Sequence, residues 1–281
     1  MKRMLGLLLL GALVLGGRPA AAAHYQLTKV ADGIYAAIAQ PGGRVASNAL
    51  VIVSSQQVTL AGAHFVLEGI KDLLAEVAKL TLLPVREVIL THHHRGFNFI
   101  DFDLPPTAEL IMSWQTWQNL KSEFRQVKNP VAFFDTGLTL QRDPFTIVLT
   151  NTERGHTEGD AVVYLPNAGV LFASDLVFND AFGYMGDGLM RDWVLTLKTL
   201  EGLDARVVVP GVGTITDSGG LQRFRVFMQD FLTEVLALVE KGDSLAQAKK
   251  KFSLPKYAKL PGYQTFLEIN LERAYKELKE K

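Results

Sequence analysis

The spacing of apolar and polar positions changes period several times along the chain, and each change marks an element. Short apolar runs over residues 25–30, 33–39, 48–53 and 57–61 are separated by Ala31-Asp32-Gly33 and Pro41-Gly42-Gly43, which predicts a four-stranded meander. Residues 66–80 then switch to three-and-four spacing through Ile70, Leu73, Leu74, Val77 and Leu80, an amphipathic helix packed on the sheet. Residues 85–90 form a buried strand that ends at Thr91-His92-His93-His94. Beyond it the pattern predicts a strand over 108–111, a helix over 113–124 and two strands over 136–152 broken at Arg142-Asp143-Pro144. A hairpin follows, 161–165 and 170–173 around the turn at 166–169, ending at Asp175. The remainder reads as helix 191–200, strand 206–209 and helices 219–240 and 261–279. This order, strands with helix repeated twice, predicts an α/β fold of two β-α halves packed as a four-layer sandwich.

Composition adjusts this picture at the N-terminus. Lys2 and Arg3, the apolar run over 5–15 and the small residues Ala20 to Ala23 read as a signal peptide over residues 1–23. The apolar run holds about a dozen residues where a membrane span needs roughly 20, so cleavage near Ala22 or Ala23 is expected, without a stable membrane anchor afterwards. The mature protein is expected to be periplasmic or secreted. Residues 24–281 contain no compositional linker and read as one domain ending in C-terminal helices. With 29 basic and 29 acidic residues the chain has no electrostatic preference for nucleic acid, and a small-molecule substrate is the expected partner. Cysteine is absent, so a bound metal must be held by nitrogen and oxygen.

Four of the six histidines fall in two short motifs, Thr91-His92-His93-His94-Arg95-Gly96-Phe97 and Gly155-His156-Thr157-Glu158-Gly159-Asp160. His92 and His94, two apart on a loop after a strand, can reach a common ion together with an imidazole from a distant loop. Several motifs occurring in order make the chain resemble the metallo-β-lactamase superfamily: the strand ending at His92, the Gly155-His156-Thr157 turn, Phe172-Ala173-Ser174-Asp175 and Val208-Val209-Pro210-Gly211-Val212-Gly213. The resemblance implies an αββα sandwich with a metal cleft at one edge. His92, His94 and His156 match the histidines of that family's first metal, and Asp175 matches the aspartate that bridges its two metals. Gly96, Phe97 and Val212 fall where the ligands particular to the second metal would stand, and Gly62 falls where an aspartate is usual.

One zinc ion held by His92, His94 and His156, with Asp175 as further ligand or catalytic base, is therefore the expected site. Three imidazoles leave one coordination position open, where water is acidified to a pKa of about 7. The implied activity is hydrolysis of an ester, thioester, lactone or amide. Two other outcomes stay open. His92, His156 and Asp175 make a two-histidine, one-carboxylate set suited to Fe2+ and sulfur oxidation, as in persulfide dioxygenases. Alternatively the site is degenerate, holds no metal, and the cleft binds a ligand without catalysis. Asp160 is expected to orient His156 or its turn. His93 is expected to point away from its neighbours as a structural or exposed residue, and His24 and His64 to lie at the surface or behind the site. Arg95 could attract an anion, and Asp101 and Asp103 could face a second site. Trp114, Trp117 and Phe124 are expected in the core, and residues 178–190 form either a cleft wall or a simple connection.

Overall fold

A computed structural model describes residues 23–63, 66–94, 104–120 and 128–280. The expected signal peptide lies almost wholly outside these residues, as do His64, Arg95, Gly96, Phe97, Asp101, Asp103 and Phe124.

The first sheet begins with the expected meander, β1 (Tyr25–Ala31), β2 (Ile34–Ala39), β3 (Ala49–Val53) and β4 (Val58–Gly62), all antiparallel neighbours. Helix α1 (Leu67–Leu80) crosses over to β5 (Val85–Leu90), and β6 (Glu109–Ser113) and β7 (Val131–Phe134) extend the sheet in parallel. Helix α2 (Trp114–Leu120) follows β6 directly. The second sheet has the order β12-β11-β10-β9-β8, built from β8 (Gly137–Arg142), β9 (Phe145–Asn151), β10 (Ala161–Leu165), β11 (Val170–Asn179) and β12 (Val207–Gly213). Only β11 and β12 are parallel in it. Helices α3 (Met190–Leu200), α4 (Ser218–Glu240), α5 (Leu245–Lys251) and α6 (Tyr263–Lys279) complete the chain.

Three apolar clusters separate four layers. Ile70, Leu73 and Val77 of α1 pack with Leu60 and Val88 on one face of the first sheet. Its opposite face, with Leu50, Ile52 and Ile89, meets Ile147, Val163 and Phe172 of the second sheet. Beyond that sheet, Leu171 and Val208 pack against Trp193 of α3, Phe224 of α4 and Leu271 of α6. The αββα arrangement follows from these buried faces, because strands such as β5 alternate Val88, Ile89 and Leu90 between two covered surfaces. Within α1 the apolar stripe is narrower than its spacing implies, since Leu80 remains 40% exposed.

Two further expectations change. Trp114 is 46% exposed and meets Phe133 edge-on at 5.3 Å between ring centroids, so it is a surface aromatic, not a core residue. Strand β11 does not stop near Asp175 but runs on to Asn179, every residue of it buried.

An ion pair between Glu87 and Arg142 links the sheets. Glu87 of β5 is buried, accepts from the Thr59 hydroxyl at 2.7 Å and receives Nε of Arg142 from β8 at 2.8 Å. Arg142→Leu leaves that carboxylate buried with one neutral donor. The expected loss is about 2 kcal/mol in urea unfolding, below the usual 3–5 because the arginine is partly solvated. Adding Glu87→Gln should recover part of it.

Candidate metal centre

The chain leaves β5 through Thr91, whose N–H donates to Gly62 O at 2.9 Å while its carbonyl accepts from Ala161 N at 2.7 Å. Those two bonds seat the histidine loop between the ends of β4 and β10. His92 and His94 are thereby buried at 1% and 4% exposure. His93 is not among the three histidines of the cluster and is itself buried. The Thr91 hydroxyl lies 3.2 Å from His92 Nδ1 and 2.8 Å from the Ser174 hydroxyl, so one edge of the His92 ring faces hydroxyls and its Nε2 faces inward.

His156 sits in the turn between β9 and β10, which Asp160 holds closed. The Asp160 carboxylate accepts from Thr157 N at 3.1 and 3.0 Å and from the Thr157 hydroxyl. Burial pushes its carboxyl up to about 7, against the pull of these donors. Asp160 therefore acts on the turn that carries His156. The His156 ring lies edge-on to Trp193 at 5.3 Å and to Phe178 at 5.9 Å, packing that fixes its plane.

These two loops bring ring nitrogens of His92, His94 and His156 within 4.8 Å of one another, all three residues buried. Nε2 of His94 and Nε2 of His156 are in direct contact. Asp175 Oδ2 stands 3.7 Å from His92 Nε2 and 3.6 Å from His156 Nε2. Nitrogens bound to one tetrahedral zinc at about 2.0–2.1 Å stand roughly 3.3 Å apart, so a shared ion requires His94 Nε2 and His156 Nε2 to part, within the 4.8 Å that spans the three rings' ligand nitrogens. Three imidazoles and a carboxylate oxygen are a donor set suited to zinc, and to iron when the carboxylate joins two of the imidazoles.

Several neighbours of the centre had no signal in the sequence. The Ser47 hydroxyl donates to Asp175 Oδ1, which leaves Oδ2 to face the imidazoles. Asn48 beside it donates through Nδ2 to Pro210 O at 2.9 Å and Gly213 O at 3.0 Å, and accepts from Ala39 N at 2.9 Å. It thus ties the β2–β3 loop to β12. Asn48→Ala would strand three backbone groups around a buried site, an expected loss of about 3 kcal/mol in chemical denaturation. Burial, and then the Asp175 charge, raise the Tyr25 phenol above its ordinary value. On the other side, Asp187 Oδ2 lies 3.1 Å from His94 Nδ1, and this contact holds its carboxyl below the usual range.

A cavity of about 450 Å³ opens from His94, His156 and Asp175. Val212 lines it, so the position that matches a second-metal histidine presents an apolar side chain to the same space. The 178–190 stretch is both wall and connection. Gly183 and Tyr184 line the cavity, while Phe182, Met185 and Met190 are anchored in the core. A wider depression of about 780 Å³, beside Arg154 and Asp192, includes none of the three histidines.

The model of the metallo-beta-lactamase superfamily matches residues 104–212. A type 2 metallo-beta-lactamase from Bacillus sp. (strain 170) is 26% identical over 195 residues, 63% of this chain and 71% of that protein. The alpha subunit of 2,4-dinitroanisole O-demethylase from Nocardioides sp. (strain JS1661) is 26% identical over 132 residues, 46% of this chain, and the match spans only 40% of that protein's length. Among solved structures, a metallo-beta-lactamase from Pontibacter korlensis superposes with a TM-score of 0.64 at 22% identity, covering 73% of this chain and 99% of the other. The DIM-1 metallo-beta-lactamase gives 0.60 at 19% identity, covering 74% and 98%.

Proposed function

As the chain belongs to the metallo-beta-lactamase superfamily, we propose that it is a hydrolase of a carbonyl compound and works with one zinc ion held by His92, His94 and His156. One observation carries the assignment: three buried imidazoles converge beside a buried carboxylate at the end of a cavity. Bound there, zinc would act as a Lewis acid, polarising a carbonyl and acidifying water.

The chain's own groups divide the remaining work. Asp175, held through Oδ1 by Ser47, directs Oδ2 at the centre, where it orients a water molecule and accepts its proton. Thr91 and Ser174 hold the His92 ring from behind, and Asp187 does the same for His94. Asp160 keeps the His156 turn in place. A single ion is favoured over two because Val212 offers no ligand within the cavity, and Gly96 and Phe97 offer none in the sequence. The basic start and apolar run of the N-terminal segment support export, which mass analysis of the mature N-terminus would test.

The direct test is hydrolysis of a neutral ester, a thioester, a lactone and an amide by the zinc-loaded protein. At least one should turn over, and His94→Ala should lower kcat/KM by about 10³-fold, the scale of several kcal/mol of lost charge stabilisation. Oxygen uptake with a persulfide by iron-loaded protein, without hydrolysis, would overturn the zinc hydrolase in favour of the two-histidine, one-carboxylate iron site. Failure of every substrate with both metals would leave a binding protein.

A further inference from the structure

The cavity beside the histidines has walls that the matched segment does not supply. Phe266 and Ile269 come from α6, more than 50 residues beyond the end of that segment at Val212. They line it together with Val212, Phe178 and Tyr184, and the Tyr184 and Phe266 rings lie 6.1 Å apart. Asp175, His94 and His156 form the polar end, and no described residue of the lining is lysine or arginine.

The same helix also fixes the opposite wall. Asn270 donates to Gly183 O at 2.9 Å and accepts from Met185 N at 2.7 Å, and Arg273 donates to Gly188 O at 2.6 Å. Glu277 accepts from Met190 N at 2.9 Å and Arg191 N at 3.0 Å. One face of α6 thus grips the 183–191 loop while Phe266 and Ile269 project into the space beside it. Such a pocket is held open before any ligand arrives, which lowers the ordering cost of binding. Ile269 is 45% exposed, an apolar side chain kept at the rim.

We propose that this cavity receives an uncharged hydrocarbon group of the substrate, an acyl chain attached to the carbonyl that is cleaved, and that α6 sets its length. A carboxylate there would meet Asp175 with no lysine or arginine among the described lining residues to offset it, whereas each methylene gains from leaving water. The substrate class is accordingly a neutral ester or thioester with an apolar acyl chain. The identification of the bond as a carbonyl rests on the hydrolase proposed above, but occupation of the cavity does not.

Two measurements separate these claims. Binding of straight-chain alcohols from ethanol to octanol to the metal-free protein should tighten about fourfold per methylene, the equivalent of about 0.8 kcal/mol, until the cavity is filled. Ile269→Asp should weaken octanol binding about fivefold or more, and hexanoate should bind more weakly than hexanol. With zinc-loaded protein, kcat/KM for neutral esters should rise with acyl length along the same gradient. Alcohol binding that is absent or independent of length, or hexanoate binding as tightly as hexanol, overturns the pocket whatever the activity. Graded alcohol binding with no ester hydrolysis supports the pocket and overturns only the hydrolase.

Discussion

His156→Ala is expected to abolish metal binding while leaving the fold in place. His156 is the meeting point of the site: its Nε2 touches His94 Nε2 and lies 3.6 Å from Asp175 Oδ2, and its ring is held between Trp193 and Phe178. Removing it leaves two imidazoles and one carboxylate around a void. Loss of groups that merely orient ligands costs about 10- to 100-fold in affinity, and loss of a ligand should exceed that. Zinc at about 100 times its dissociation constant stabilises a native protein by about 2.7 kcal/mol, so the wild-type melting temperature should rise on zinc addition. The variant should show no rise. An undiminished zinc response in His156→Ala would mean that the ion sits elsewhere.

Gly211→Ala should be the most damaging small substitution near the centre. Gly211 lies on β12 where β11 bulges at Ser174, a non-glycine residue at φ 49°. A Cβ at Gly211 would overlap Asp175 Oδ1 and stand 2.5 Å from both Asp175 N and Ser174 C. The carboxylate cannot swing away without losing Ser47, and the backbone cannot yield without opening the β11–β12 pairing. Overpacking of this kind costs about 3 kcal/mol, and it displaces the carboxylate whose Oδ2 faces the imidazoles. Stability in urea and zinc affinity should therefore fall together. A stable variant with unchanged zinc affinity would show that Asp175 takes no part.

How much of this was legible before the structure depends on whether the signal was local. The meander, α1 and β5 carried clear periods, so the loop bearing His92 and His94 could be placed at a strand end. Motif order then brought in His156 and Asp175 from distant loops. Strand β7 escaped because Val131-Ala132-Phe133-Phe134 has no alternation, and it gains its partners only from β6 across the sheet. Asp175 looked like a strand terminus because an acid after Phe172-Ala173-Ser174 breaks an apolar run. It is buried inside β11 because the bulge at Ser174 turns it toward Ser47 and the imidazoles. Helix α5 does carry a local signature, the capping box of Ser244 and Gln247.

The surroundings of the centre were less accessible for a physical reason. Ser47, Asn48 and Asp187 are ordinary polar loop residues in sequence, and their roles arise from contacts more than 90 positions away. The 261–279 helix was recognisable from its pattern, yet nothing in that pattern says that Phe266 and Ile269 look into the cavity while Asn270 and Glu277 hold its other wall. Specificity in such a site comes from packing between distant elements, whereas the ligand set survives as short motifs.

Metal content is the most direct test of the central claim. Protein purified without a tag, saturated with zinc and freed of excess by dialysis should retain one zinc ion per chain, and the His92→Ala, His94→Ala and His156→Ala triple variant should retain none. No bound zinc in the wild type, two ions per chain, or one ion still held by the triple variant would contradict a mononuclear three-histidine centre.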